Sequence, residues 1–257
     1  MAKWTAFPHD SKNYDYDAAA LKKHWARLHA GDVEPMPKDA KVLEAWSLFH
    51  AGQFHKAYEA GLKAGGAGIT VANKAQCIYA NYLEKSEKTK LEMFLEAAER
   101  AQAQQAAEPK NPNAWYWQAY AIGRYSQGIS VAKALAQGLG SKCKNALETA
   151  IELAPKHADA HIALGAFHAE VIDKVGKLLG RTQGADTATG LKMFKEALRL
   201  NPTSAIAMVE YANGLVMLEG EKKMKQAEQL YADAAACKPM DAMERLDVEM
   251  AKAELED

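Results

Sequence analysis

Three stretches of this 257-residue chain share one spacing. Cys143, Leu147, Ala150 and Pro155 stand four, three and five residues apart. The same offsets return at Gly190, Phe194, Ala197 and Pro202, and again at Ala227, Tyr231, Ala234 and Pro239. Small, large and small side chains at i, i+4 and i+7 share one face of an α-helix. A proline five positions later stops that helix, because it has no amide hydrogen for the next turn. The preceding helices are patterned as well. Six residues past Pro109, Pro155 and Pro202 stand Trp115, His161 and Met208, and ten residues past them stand Ala119, Gly165 and Ala212. A small residue at the second point admits a neighbouring helix, and a larger one would overpack the contact by about 1–3 kcal/mol. The chain is therefore predicted to consist of helix pairs that bury their apolar stripes against one another. Its 51 alanines against 8 prolines favour the same reading.

A large residue paired with a small one four later, followed by small, large, small and Pro, is the pattern of the tetratricopeptide repeat (TPR). The chain resembles that family most specifically over residues 111–239. The clearest match is His161-Ile-Ala-Leu164-Gly165 with Phe194-Lys-Glu-Ala197-Leu-Arg-Leu-Asn-Pro202. Upstream, Ala57, Gly61 and Ala64 keep the offsets after Gly52-Gln-Phe54, and Ala97, Ala101, Gln104 and Pro109 keep them with altered chemistry. The resemblance implies an all-α, right-handed TPR-like α-solenoid forming one structural domain. Residues 1–38 supply an arm and a capping helix, and residues 39–239 supply the repeats, at about 39–66, 67–110, 111–156, 157–203 and 204–239. Residues 240–257 form an acidic capping helix, which a repeat stack needs where its last pair has no neighbour.

Two of these pairs are elongated. Pro109 to Pro155 is 46 residues and Pro155 to Pro202 is 47, against about 34 in the family. The surpluses hold related strings, Val131-Ala-Lys133-Ala-Leu135 before Gly140 and Val175-Gly-Lys177-Leu-Leu179 before Gly184. They read as lengthened first helices or short extra helices, each followed by a glycine turn. Such pairs, together with the HIALG and FKEALRLNP strings, resemble the C-terminal half of the regulator-of-microtubule-dynamics family and its bacterial relatives. The membrane anchor common in animal members is not seen, and no microtubule role is expected.

Several classes of function are disfavoured. A net charge of −1 lacks the basic footprint of a nucleic-acid binder. Cys77, Cys143 and Cys237 are scattered and form no CxxC pair, which speaks against a disulfide framework or a structural zinc site. The N-terminus lacks the apolar stretch of a signal peptide, and no window reaches 18 apolar residues, so a cytoplasmic protein without a membrane partner is expected. No GxSxG, HExxH or P-loop string occurs. Gly65-Gly66-Ala67-Gly68 joins two helices and reads as a turn. His157, His161 and His168 fall near one helical face, a spacing that suits a divalent metal. His161, however, holds the large core position of its repeat, and His157 follows a proline in the loop. The chain is read as no enzyme, with no cofactor and no metal.

What remains is recognition. In this fold the side of the first helix one, five and nine residues past the core position lines the concave face. That face collects Tyr116, Tyr120 and Arg124, then Ile162 and Glu170, then Val209, Asn213 and Met217, with Asn113 and Asp159 at helix starts where either also fits an N-cap. A mixed aromatic, aliphatic and charged groove suits an extended or helical peptide from a protein partner. Trp4, Phe7 and Tyr14 give the N-terminal arm apolar mass that a disordered tail does not carry, so the arm is predicted to pack on the repeats. The inserts add Lys133, Lys177 and Arg181, a candidate docking site for an acidic partner. Homo-oligomeric assembly is the structural alternative, and a small-ligand sensor or enzyme is the third.

Overall fold

The computed structural model describes residues 4–256, and all regular structure among them is helical. The helices are α1 (Ala18–Leu28), α2 (Ala40–His50), α3 (Phe54–Ala64), α4 (Gly68–Tyr82), α5 (Glu87–Ala107), α6 (Pro112–Gln127) and α7 (Val131–Ala136). After them come α8 (Leu139–Leu153), α9 (Ala158–Thr182), α10 (Thr187–Leu200), α11 (Ala205–Glu219), α12 (Met224–Ala235) and α13 (Ala242–Glu256). The stop signals act as the spacing predicts: Pro109, Pro155 and Pro202 lie just past α5, α8 and α10, and Pro239 lies past α12. The starts are chemically marked too. Side chains of Asp17, Asp39, Ser86, Asn111, Asp186 and Ser204 accept hydrogen bonds from first-turn amides, satisfying donors that the helix itself leaves unpaired. The described residues form an all-α, TPR-like succession of helix pairs. Residues 1–3 of the expected arm and residue 257 of the expected terminal helix lie outside the described residues.

The chain divides into two compact units. The first comprises the chain up to His29, Glu34–Ser130 and Met240–Met243. In it α1 packs on α2, α2 on α3 and α4, α3 on α4, α4 on α5, and α6 on both α4 and α5. Its core is aromatic: Trp46, Phe49, Phe54, Tyr79, Phe94 and Trp117 are all buried, with Ala57, Ala97 and Ala119 at the close approaches. The arm belongs to this unit, and Tyr14 is buried within it.

The second unit comprises Ala30–Val33, Val131–Pro239 and the chain from Glu244 onward. Here α8 packs on α9, α9 on α10 and α11, α10 on α11, and α11 on α12. Phe194, fully buried, is the large residue of the repeated signature, and Gly165 is the small one opposite it: a Cβ added to Gly165 would lie 2.9 Å from the Phe194 ring. The two inserts differ in form. The first becomes the short helix α7, which buries no residue. The second continues α9 across Gly176, whose φ of 77° breaks the helical path. The turn before α8 is made by Gly138, in the left-handed region, while the expected turn residue Gly140 lies in the first turn of α8.

Candidate functional site

Of the expected groove residues, the first unit carries four, all on α6. Asn113 is fully buried and donates from Nδ2 to Glu34 Oε2 at 2.6 Å, while the Glu34 carbonyl accepts from Trp25 Nε1 at 2.8 Å. Tyr116 is buried edge-on to Trp117, with ring centroids 4.9 Å apart. Tyr120 and Arg124 are half-buried, and the guanidinium lies 5.3 Å above the Tyr120 ring. Neighbouring Trp115 is only half-buried and donates from Nε1 to the Pro109 carbonyl at 3.0 Å; Trp117, at 2 % exposure, is the core ring. The expectation that Trp115 fills the core is corrected by two positions: α6 packs on both α4 and α5, and it is Trp117 whose ring lies 6.0 Å from the Lys74 ammonium of α4.

The second unit carries the other six. Ile162 is buried with Ala197 and Ala207, and Val209 with Ala234, Val248 and Ala251. These two, like Asn113 and Tyr116, serve the interior, since a side chain sealed by its own neighbours has no face for a partner. Asp159 is half-buried, and its amide donates to the Gly31 carbonyl at 3.0 Å. Glu170 pairs with Lys174 at 3.5 Å. Asn213 is exposed and accepts from the Tyr231 hydroxyl at 2.6 Å, and Met217 is exposed beside it on α11. The basic residues Lys133, Lys177 and Arg181 are exposed, as is Leu178 at 85 %.

The three histidines each have a structural task. His157 caps α9, its Nδ1 accepting from the Ala160 amide at 3.1 Å. His161 fills the core position and donates from Nε2 to the Pro155 carbonyl at 3.1 Å, the bond that Trp115 makes to Pro109 in the other unit. His168 accepts at Nδ1 from the Asp186 amide at 3.0 Å. Among the described residues, no group of three or more His, Cys, Asp or Glu is placed to hold a metal ion. Cys77 and Cys143 are buried, and burial pushes both thiols up to about 12, so neither is a thiolate nucleophile at neutral pH.

Two features of the first unit escaped the sequence reading. One is the polar inner face of α4, where Thr70, Asn73, Lys74 and Gln76 are all buried. Arg100 donates from Nε to Asn73 Oδ1 at 3.1 Å and also to Gln76 Oε1; Gln76 in turn donates to Glu96 at 2.7 Å, and Gln104 donates to Thr70 Oγ1 at 2.9 Å. The Lys74 ammonium lies 5.2 Å from the Phe49 ring, 5.5 Å from Trp46 and 6.0 Å from Trp117. Such cation–π contacts contribute about 2 kcal/mol where desolvated.

The other is an aromatic slot on α3 and α4. The Trp4 ring stacks on Tyr79 with centroids 4.2 Å apart and planes 18° apart, and His55 and Tyr58 flank it at 5.1 and 5.3 Å. Arg100 backs the slot, its guanidinium 5.1 Å over the Tyr58 ring. Burial raises the Tyr58 hydroxyl pKa, with Arg100 pulling the other way. The predicted packing of the arm is thus realised from Trp4 onward. His55, Tyr58 and Tyr79 were missed because only the fold brings residues 24 apart in the sequence around one ring.

The profile of the family described as regulator of microtubule dynamics protein 1-3 matches residues 69–256. Among solved structures, a thermophilic TPR protein from Thermus thermophilus superposes with a TM-score of 0.58 at 17 % identity, covering 83 % of this chain and 97 % of that one. That likeness shows the TPR-type fold. No curated protein matches the chain. Among the described residues, no helix is long and apolar enough to cross a membrane.

Proposed function

The chain belongs to the regulator of microtubule dynamics protein 1-3 family, and on that premise we propose that it is a non-catalytic interaction scaffold that binds a peptide or protein segment. Helix pairs of this kind hold side chains at fixed spacing on rigid supports, so a partner meets a pre-organised surface and little ordering entropy is lost on binding. The observation that carries the reading is the Tyr120–Arg124 pair, a half-exposed aromatic and a guanidinium stacked at 5.3 Å. Tyr and Arg are the residue types that most often anchor interfaces. In the second unit, Asn213, Met217, Asp159 and Glu170 are the remaining solvent-facing members of the proposed surface. Lys133, Lys177 and Arg181 form the proposed dock for an acidic partner, supported by the exposure of Leu178 among them. We place the protein in the cytoplasm, in keeping with three cysteines that form no disulfide among the described residues.

Affinity capture from the native cell, with wild type and a Tyr120→Ala/Arg124→Ala variant as paired baits, tests the proposal. A partner retained by wild type and reduced at least tenfold with the variant supports it. A stable dimer in sedimentation that buries Tyr120 and Arg124 would replace it with self-assembly.

A further inference from the structure

The arm is seated like a ligand. Trp4, Phe7 and His9 are half-buried, whereas Thr5, Ala6, Pro8 and Asp10 between them are exposed, and residues 4–8 form no helix or turn. An irregular extended segment of this kind contacts its support through a few separated side chains, here three residues apart at Trp4 and Phe7, and through backbone bonds. The arm's backbone bond is the Thr5 amide donating to Tyr79 Oη at 3.0 Å, while the same hydroxyl donates to Glu84 Oε2 at 3.3 Å. Three residues beyond Trp4, Phe7 fills a second recess against Phe54, edge to face at 6.3 Å. Gly52 forms the floor of that recess: its φ is +77°, and a Cβ there would lie 2.7 Å from the Phe7 ring. Tyr14, in contrast, is sealed at 6 % exposure and anchors the arm to the unit.

We propose that the His55–Tyr58–Tyr79 slot and the Gly52–Phe54 recess form a peptide-docking site for an extended segment of the pattern aromatic-x-x-Phe, and that the chain's own arm occupies it in cis. The chemistry of the occupant is read from the seated arm. The first position takes a flat aromatic ring between Tyr79, Tyr58 and His55. The second supplies a free backbone N–H, which excludes proline there. The fourth takes a phenyl ring small enough to lie over Gly52. An external segment of this pattern competes with the arm, so partner binding is held back until the arm leaves. Nine residues lie between Trp4 and the anchor Tyr14, and a tether that short gives an effective concentration of about 1 mM. With an intrinsic Kd of about 10 µM for the arm itself, a free segment would then bind the wild-type chain about a hundredfold more weakly than a chain whose arm is released.

This inference rests on the reading of the chain as an interaction scaffold, but its test uses none of the α6 residues. The probe is a synthetic peptide of residues 2–13 carrying a fluorophore at its C-terminus, titrated by anisotropy against full-length proteins. The Trp4→Ala/Phe7→Ala chain is expected to bind it at least tenfold more tightly than wild type. Adding Tyr58→Ala to that chain, or Trp4→Ala to the peptide, should abolish binding. A Thr5→Pro chain, which removes the amide donor to Tyr79 and also restricts the Trp4 backbone, is the second released form. Absence of peptide binding to either released form, with circular dichroism and melting still cooperative, overturns the proposal. So does loss of folding in both, since the arm would then be a permanent structural part. Either negative result leaves the Tyr120–Arg124 capture experiment unaffected, so the two readings fail separately.

Discussion

Phe194 is held between two glycines on different helices. A Cβ on Gly165 of α9 would meet its ring at 2.9 Å, and one on Gly214 of α11 would meet it at 2.3 Å. The ring is fully buried and stacks on Tyr211 at 5.4 Å, so it has no room to retreat. Gly214→Ala is therefore expected to destabilise the protein by about 1–3 kcal/mol and by more than Gly165→Ala, measured by urea denaturation. Phe194→Leu should recover part of the loss, giving a non-additive double-mutant cycle. Gly165 was legible in the sequence because it repeats the small position held by Ala119 and Ala212. Gly214 was not, because it lies two residues past Ala212 and answers to one ring in one repeat. The aromatic residues show the same limit: their number on α6 was plain, but which of Trp115 and Trp117 turns inward depended on the two helices packed behind.

At the scale of the element, helix ends are tied by specific acceptors. His168 of α9 accepts the amide of Asp186, the residue that caps α10. Its pKa is lowered from 6.5, first by burial and then by Lys144, with Asp186 and Glu148 acting in the opposite sense. The neutral ring suits its role as acceptor. Because the folded pKa lies below the unfolded one, the unfolded chain takes up this proton first as pH falls. The stability contributed is complete above pH 6.5 and declines below it until the folded pKa is passed. The melting temperature of wild type should therefore drop more steeply between pH 7.5 and 5.5 than that of His168→Gln, which retains an acceptor but does not titrate. Equal slopes in the two proteins would show that the bond plays no part. The two inserts differ in form. Their related strings announced an added element, yet one is a separate helix and the other a continuation past Gly176. In both inserts a glycine of positive φ interrupts the helical path, Gly138 after α7 and Gly176 within α9.

For the whole molecule, chain order and compact units do not coincide. Met240–Met243, at the start of the final helix, belongs to the first unit. There Asp241 Oδ2 lies 2.7 Å from His50 Nδ1, with both side chains almost wholly buried, and the Tyr16 hydroxyl donates to the Met240 carbonyl at 2.7 Å. Removing one member of a buried pair strands the other away from water. Asp241→Ala is expected to cost about 3–5 kcal/mol, and Asp241→Asn clearly less because it keeps an acceptor. All five tryptophans lie in the first unit, so the fluorescence-detected midpoint is the measurement that checks this. An unchanged midpoint in Asp241→Ala would show the pair to be dispensable.

Helix pairs, their stops and the small residues at their close approaches were determined by the sequence itself. Those features are local: a proline cannot donate, and a 3.6-residue turn sorts side chains onto faces whatever lies beyond. Which faces are sealed was decided only by tertiary packing. Asn113, Tyr116, Ile162 and Val209 share their helical side with Tyr120, Glu170 and Met217, but neighbouring elements cover the former and leave the latter accessible to solvent. The slot around Trp4 belongs to the same class, because it joins an arm, α3 and α4 that only the folded chain brings within reach of one ring.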